Sequence, residues 1–484
     1  MASDMDPEDW TELRALGHRI MDDMFDGLAG IRDRPVWQRM PENLRQELQS
    51  PLPHAPESPA ATYDAVQRLV VPYVTGNLHP RFMGWVHGGG NPVGMLAELI
   101  AGGLNANLGG RDHAPIEIER QVVHWAAEMV GMPAETSGLL VTGTSMANMI
   151  AVLVARRDAA GPVVRGAGVG TRRLVAYAAR TAHGCIAGAM DMAGLGTDAL
   201  RLIGCDRDHR IDLAQLSAAV QRDRDAGMEP FLVVGTAGTV DVGAIDDLAG
   251  LAALCREEAL WFHVDGAFGA LAMLSPRYRP LLAGIEHADS LAFDFHKWAQ
   301  VPYDAGCILV RDGAKHFDTF AQTAAYLRRE ERGLAGGHPW PGDFGPDLSR
   351  GFRALKVWMT LRAYGADRLG DVVEASCAVA QHLAARVRAE PALELLAPVA
   401  LNIVCFRVRT ATDPDGLNRE IVADLQEAGI AAPSTTTVDG KLAIRAAIVN
   451  HRTRADDVDA MVDAVLERAR ASRRLLRQDR QDDM

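Results

Sequence analysis

A mostly parallel α/β sheet, followed by a smaller α+β unit, is the fold class the sequence predicts, and three observations predict it. Short apolar runs alternate with helix-like stretches from about Leu139 to Val310. The segments on either side lack that alternation. At 484 residues the chain is also too long for one ordinary core, so more than one domain is expected.

Residues 1–75 read as amphipathic helices broken by a proline-rich joint, Pro51-Leu52-Pro53-His54-Ala55-Pro56. Little there could form a core alone, so this arm is expected to pack on another surface. Residues 76–365 form the expected large domain. Its candidate strands are Leu139–Thr142, Arg173–Tyr177, Leu200–Ile203, Phe231–Gly235, Leu260–Val264, Ser290–Phe293 and Cys307–Val310. Helical patterns over Met146–Arg157, Leu213–Arg224 and Leu248–Glu258 separate several of them, which implies a seven-stranded sheet covered on both faces. Helices over Leu355–Tyr364 and Asp371–Arg388 follow. Residues 366–484 are the small C-terminal domain, with strands near Asn402–Val408 and Leu442–Ile448 and a terminal helix.

Composition narrows the function classes. Apolar residues make up 48% and charged residues 23%, as in a globular protein. A net charge of -13 argues against nucleic acid or an anionic membrane as the main partner. The arginine-rich stretch Arg468–Arg480 is accompanied by Asp479, Asp482 and Asp483 and reads as a solvated helix and tail. The six cysteines are scattered, with neither C-x-x-C nor zinc-ligand spacing, so no metal site is expected and a reduced, cytoplasmic protein is. The acidic N-terminus has no signal-peptide core, and no apolar run approaches a membrane span.

Four motifs fall at strand ends, where open α/β sheets bind ligands. Thr142-Gly143-Thr144-Ser145 joins a strand to a helix and suits a phosphate, though Ser145 can equally be a helix cap. Thr181-Ala182-His183-Gly184 offers a histidine that could stack on a planar ring or simply cap a helix. In His263-Val264-Asp265-Gly266-Ala267 a strand ends in an acid followed by two small residues. A carboxylate there can keep a pyridinium nitrogen protonated, which makes the ring an electron sink; such an aspartate is otherwise a turn former. In Asp294-Phe295-His296-Lys297-Trp298 a lysine stands among aromatic residues at the end of an apolar strand. A lysine side chain ordinarily titrates near ~10.4, so an imine-forming one needs burial or nearby cations, and a surface lysine is the plainer alternative.

Over roughly residues 75 to 450 the chain resembles the group II pyridoxal-phosphate (PLP) dependent amino-acid decarboxylases, which include aromatic-amino-acid, histidine and glutamate decarboxylases. The resemblance rests on Trp261-Phe262-His263-Val264-Asp265-Gly266-Ala267 and Asp294-Phe295-His296-Lys297-Trp298. It continues through Val301-Pro302-Tyr303-Asp304-Ala305-Gly306 and Phe352-Arg353-Ala354-Leu355-Lys356-Val357-Trp358. It implies the aminotransferase-like fold type I and a homodimer with active sites at the subunit interface, the N-terminal arm wrapping the neighbour. It further implies decarboxylation of an L-amino acid to the amine and carbon dioxide. Lys297 is then the Schiff-base lysine and Asp265 the pyridinium partner, with Ala267 beside the ring and His183 stacked on it. Thr144 and Ser145 would hold the phosphate, with His296 and Thr239 close by. His87, Arg111 and His113 occupy places resembling the family's substrate-side pocket and can meet a polar side chain, or pair with Asp112 or Glu117 as structural groups.

Two positions depart from the family's pattern. Phe295 stands where proline or a small residue is common. The loop that carries a catalytic tyrosine in the family reads Gly336-Gly337-His338-Pro339-Trp340-Pro341-Gly342-Asp343-Phe344-Gly345-Pro346, without tyrosine. Phe344 is its nearest aromatic match, Tyr326 lies earlier, and phenylalanine at that position is associated with aldehyde-forming oxidative deamination. The alternatives are therefore that oxidative route, a carbon–carbon lyase of the same fold, or a non-catalytic PLP-binding partner subunit, which the intact Lys297, Asp265 and His183 set disfavours.

Overall fold

The computed structural model describes residues 5–7, 9–321, 330–337 and 339–482. Twelve strands are introduced in chain order. A two-residue strand β1 (Phe82–Met83) precedes β2 (Ser137–Val141), β3 (Leu174–Ala179), β4 (Leu200–Ile203), β5 (Glu229–Thr236), β6 (Trp261–Asp265), β7 (Ser290–Asp294) and β8 (Gly306–Val310). The C-terminal part adds β9 (Leu393–Leu395), β10 (Ile403–Val408), β11 (Ala432–Val438) and β12 (Lys441–Ala447).

Seven strands form the large sheet in the order β2-β8-β7-β6-β5-β3-β4. Only β8 runs against its neighbours. It returns from β7 without a crossover helix, whereas the parallel strands are joined by helices, as parallel pairing demands. Successive strand residues face opposite sides, and the sequence fills both. Val175, Tyr177, Val233, Phe262, Val264, Leu291 and Phe293 enter one core. Leu174, Ala176, Leu232, Val234, Trp261 and Ala292 enter the other, beneath the helix Thr144–Ala160.

The smaller sheet has the order β1-β11-β12-β10-β9, with its own core under the helices Ala366–Ala389, Pro414–Glu427 and Ala455–Asp482. Phe82 pairs in parallel with Ala432. The stretch expected to open the large domain thus gives two residues to the small sheet. The N-terminal helix Trp10–Ala29 buries none of its residues. Among the described residues, no helix is long and apolar enough to cross a membrane.

Because β2, β3, β5, β6 and β7 run the same way, their carboxyl ends gather at one edge of the sheet. That edge brings together Gly143, His183, Thr236, Asp265 and Asp294.

Candidate active site

A cavity of about 350 Å³ opens at this edge, within the range of small-ligand sites. Lys297, Asp265, Ala267, His183, Thr144, Ser145, His296 and His87 all line it, together with Trp85, Cys185, Tyr303 and Asp294. The lysine is partly exposed to the cavity, and its Nζ lies 3.0 Å from Oδ2 of the buried Asp294. Thr144 Oγ1 donates to the same oxygen, and His296 Nε2 stands 3.6 Å from it. Asp294 Oδ1 is buried without a hydrogen-bond partner among the described residues. His296 is fixed from behind by the Ala305 N–H, which donates to Nδ1 at 3.0 Å, and burial pulls its imidazole below the ordinary range.

The helix Thr144–Ala160 starts two residues before the expected Met146. Its N-cap is Gly143, with no side chain capping the helix, so Ser145 does not act as the cap and remains exposed. An uncapped helix start leaves backbone N–H groups for an anion. The site needs glycine at Gly306, since a Cβ there would come within 2.5 Å of the Gly143 backbone.

Asp265 is nearly out of solvent. It accepts from the Ala267 N–H at 3.1 Å and from Asn148 Nδ2 at 3.1 Å. Burial pushes its carboxyl above the usual carboxylate range, opposed first by the Lys297 charge and then by those N–H groups and His183. His183 accepts the Cys185 N–H on Nδ1 at 3.2 Å, which fixes its ring beside the cavity. His87 stacks with Phe82 and Trp85 and meets Tyr303 edge-on at 5.7 Å, while Tyr303 packs on His296 with ring centroids 4.2 Å apart. Burial, with Lys297 second, lowers the His87 pKa.

Four expected residues stand apart from the cavity lining. Thr239 is buried just behind it, its hydroxyl accepting the Ala244 N–H at 3.0 Å within its own turn. Arg111 lies over the Trp340 ring at 4.9 Å, and His113 starts the helix Ala114–Met129. Phe344 packs on His316 and Phe317, with centroids 5.1 and 6.0 Å away, and lines a second cavity. Phe295 is fully buried and meets Phe293 edge-on at 4.9 Å, so it points into the core. Tyr326 lies outside the described residues.

Sequence reasoning did not single out Asn148, Ser290, Asp294 or Tyr303, nor a role for His263. One signal for His263 was available: in Trp261-Phe262-His263-Val264-Asp265, strand alternation puts Trp261, His263 and Asp265 on one face.

A lysine and a buried carboxylate facing one cavity, with an uncapped helix start at its edge, fit PLP, and three comparisons agree. The pyridoxal-dependent decarboxylase conserved domain matches residues 41–409. An aromatic-L-amino-acid decarboxylase of Bacillus atrophaeus is 32% identical over 457 residues, covering 92% of this chain and 93% of that protein. A phenylacetaldehyde synthase of Arabidopsis thaliana is 29% identical, covering 91% and 92%. The crystal structure of Oryza sativa TDC with PLP and tryptamine superposes with a TM-score of 0.88 at 27% identity, covering 97% of this chain and 100% of that one. The chain belongs to the pyridoxal-dependent decarboxylase family and is a PLP-dependent amino-acid decarboxylase.

Proposed function

We propose that this enzyme decarboxylates an L-amino acid with a flat, unsaturated side chain, releasing the amine and carbon dioxide. The observation that carries this reading is the wall of rings in the Lys297 cavity: Trp85, His87 and Tyr303, of which Trp85 and Tyr303 are about half exposed. Such rings favour stacked or edge-on contact with another flat group. The names of the Bacillus relative and of the TDC complex with tryptamine point the same way.

PLP, when bound, supplies the electron sink for the electrons released as carbon dioxide leaves. Lys297 would hold it through Nζ. Asp265 would keep the ring nitrogen protonated by opposite charge, and His183 would meet the ring, for which Ala267 leaves room. Thr144, Ser145 and the helix start would take the phosphate, with His296 beside them and Thr239 shaping the neighbouring turn. We assign the working unit as a homodimer with the active sites at its interface. The apolar helix Pro92–Leu104 leaves Leu99, Ile100 and Leu104 exposed, and the arm exposes Trp10, Leu13 and Phe25, faces that a second copy would cover. Six unpaired cysteines suit a reduced cytoplasmic setting.

A second reading is decarboxylation coupled to oxidative deamination, in which dioxygen and water are consumed and aldehyde, carbon dioxide, ammonia and peroxide are released. The tyrosine-free Gly336–Pro346 loop favours it, as does the name of the Arabidopsis relative. Amine, carbon dioxide, aldehyde and peroxide measured across the standard amino acids test both readings. We expect turnover with aromatic or imidazole side chains. Preference for an aliphatic or acidic amino acid would overturn the substrate class, and peroxide equal to carbon dioxide would establish the oxidative route.

A further inference from the structure

Behind Asp265 lies a chain of hydrogen bonds whose direction can be read atom by atom. Strand alternation aligns Trp261, His263 and Asp265 on the face covered by the helix Thr144–Ala160. Asn148 of that helix, fully buried, meets both of the last two: its Nδ2 donates to Asp265 Oδ2 at 3.1 Å, and its Oδ1 lies 2.8 Å from His263 Nε2. The neighbouring strand pairs Ser290 with His263. Ser290 Oγ is 2.8 Å from His263 Nδ1, and Trp261 Nε1 donates to that same Oγ at 2.8 Å.

The carboxylate sets the polarity of the whole series. An ionised Asp265 accepts only, so the amide must turn its N–H₂ toward it and its oxygen toward His263. His263 Nε2 must then carry the proton, and Nδ1 is left as an acceptor. The Ser290 hydroxyl proton goes to Nδ1, and the Ser290 oxygen is free to accept from Trp261. The Ser290 carbonyl, 3.1 Å from Nδ1, would need the opposite tautomer and loses this competition. Full burial pulls His263 down to about 4, so the ring is neutral, as the series requires. The second Nδ2 hydrogen of Asn148 goes to Cys185 Sγ at 3.2 Å, so every donor of the series has an acceptor and no orphan remains to offset the order.

We propose that Asn148 and His263 are positioning residues for Asp265: the series Trp261–Ser290–His263–Asn148 delivers one oriented N–H to Oδ2, holding the carboxylate ionised and in one rotamer toward the cavity. The proposal rests on the role given to Asp265 above. The other ionisable groups acting on Asp265 are Lys297, His183 and Cys185, all at the cavity. Asn148, His263, Ser290 and Trp261 do not line the cavity, so none can act on substrate directly.

The test uses the full chain, loaded with PLP, as Asn148→Ala and Ser290→Ala. Three quantities are read: the melting temperature of the PLP-free protein, the Kd for PLP, and the pH midpoint of the bound cofactor's visible absorption. Losing one hydrogen bond to a charged group should weaken PLP binding about tenfold in Asn148→Ala. A more basic Asp265 takes charge from the ring, so the Schiff-base nitrogen keeps its proton to higher pH, and the midpoint should rise by about one unit. Ser290→Ala should move both in the same direction by less, although its side chain is outside the cavity. Should Asn148→Ala fail to fold, the Ser290→Ala midpoint decides alone. Folded variants with the parent's Kd and midpoint would overturn the proposal while leaving the role of Asp265 standing. A parent chain that does not bind PLP would overturn both.

Discussion

The Nζ of Lys297 lies 3.0 Å from Oδ2 of Asp294, a carboxylate with only 2% of its side chain exposed, which also receives the Thr144 hydroxyl. Asp294 thus ties the lysine to the turn expected to hold the phosphate. Asp294→Ala removes the shared acceptor from both and should weaken PLP binding about tenfold, as loss of one hydrogen bond to a charged group does. Equilibrium dialysis of the PLP-free protein checks this. Unchanged or tighter binding would mean that Asp294 opposes the cofactor rather than orders its site.

Away from the cavity, Glu119 and Arg350 form a buried pair that fixes strand β2. The guanidinium donates to Glu119 Oε2 at 3.0 Å and to the carbonyls of Leu108 and Leu140, while Glu119 accepts the Leu140 N–H at 3.0 Å. Glu119→Ala strands a buried charge and should cost about 3–5 kcal/mol. Denaturant unfolding should show a lower midpoint, and a change under about 1 kcal/mol would contradict the pair's assigned role.

Stability should also depend on pH in a defined window. Burial lowers His263 and His451 to about 4 and His316 to about 3. The unfolded chain binds more protons at these sites between their ordinary 6.5 and the lowered values, so stability falls as pH drops through that range. Asp246, which burial pushes up to about 6, acts the other way, because its folded form binds the extra proton above 3.8. Burial also lowers His79, His87 and His296 and raises Asp265 and Asp289, so six lowered histidines stand against three raised carboxyls and set the direction. Melting temperature should therefore decline steadily from about pH 6.5 to pH 4, and a flat or rising profile would go against the neutral, buried state of these rings.

The loop lacking tyrosine gives a prediction that differs from the one the sequence invites. Alignment by nearest aromatic makes Phe344 the stand-in for the missing acid. In the fold it is wedged against His316 and Phe317, away from Lys297's cavity. Phe344→Tyr should leave the ratio of amine to aldehyde unchanged. A shift toward amine would place this ring at the reacting carbon in the working enzyme.

These cases show what was legible in the sequence. The large sheet's strands were readable because apolar runs between helical patterns leave few alternatives, and Leu200–Ile203 was placed to the residue. Lys297, Asp265 and His183 were read from four strand-end motifs taken together and from the resemblance those motifs carry, and all three line one cavity. Phe344 lies away from the Lys297 cavity of its own chain, and a loop rich in glycine and proline carries no periodicity to set its register. Asn148 was passed over because a helical asparagine gives no local sign of its partners, which lie more than a hundred positions away. The pairing of Phe82 with Ala432 spans still more of the chain and leaves no signal in two residues of strand. The Thr239 hydroxyl oxygen accepts the Ala244 N–H within its own turn, a contact that no local pattern in the sequence announces.

The central claim is that Lys297 carries the cofactor. Borohydride reduction of the yellow, PLP-loaded protein, followed by peptide mapping, tests it most directly. The account predicts the reduced label on the peptide containing Lys297, and a folded Lys297→Ala chain that neither takes the label nor turns over substrate. Label on Lys315, which pairs with Asp158 at 2.8 Å on the surface, or on Lys356, buried beside Glu98, would contradict it.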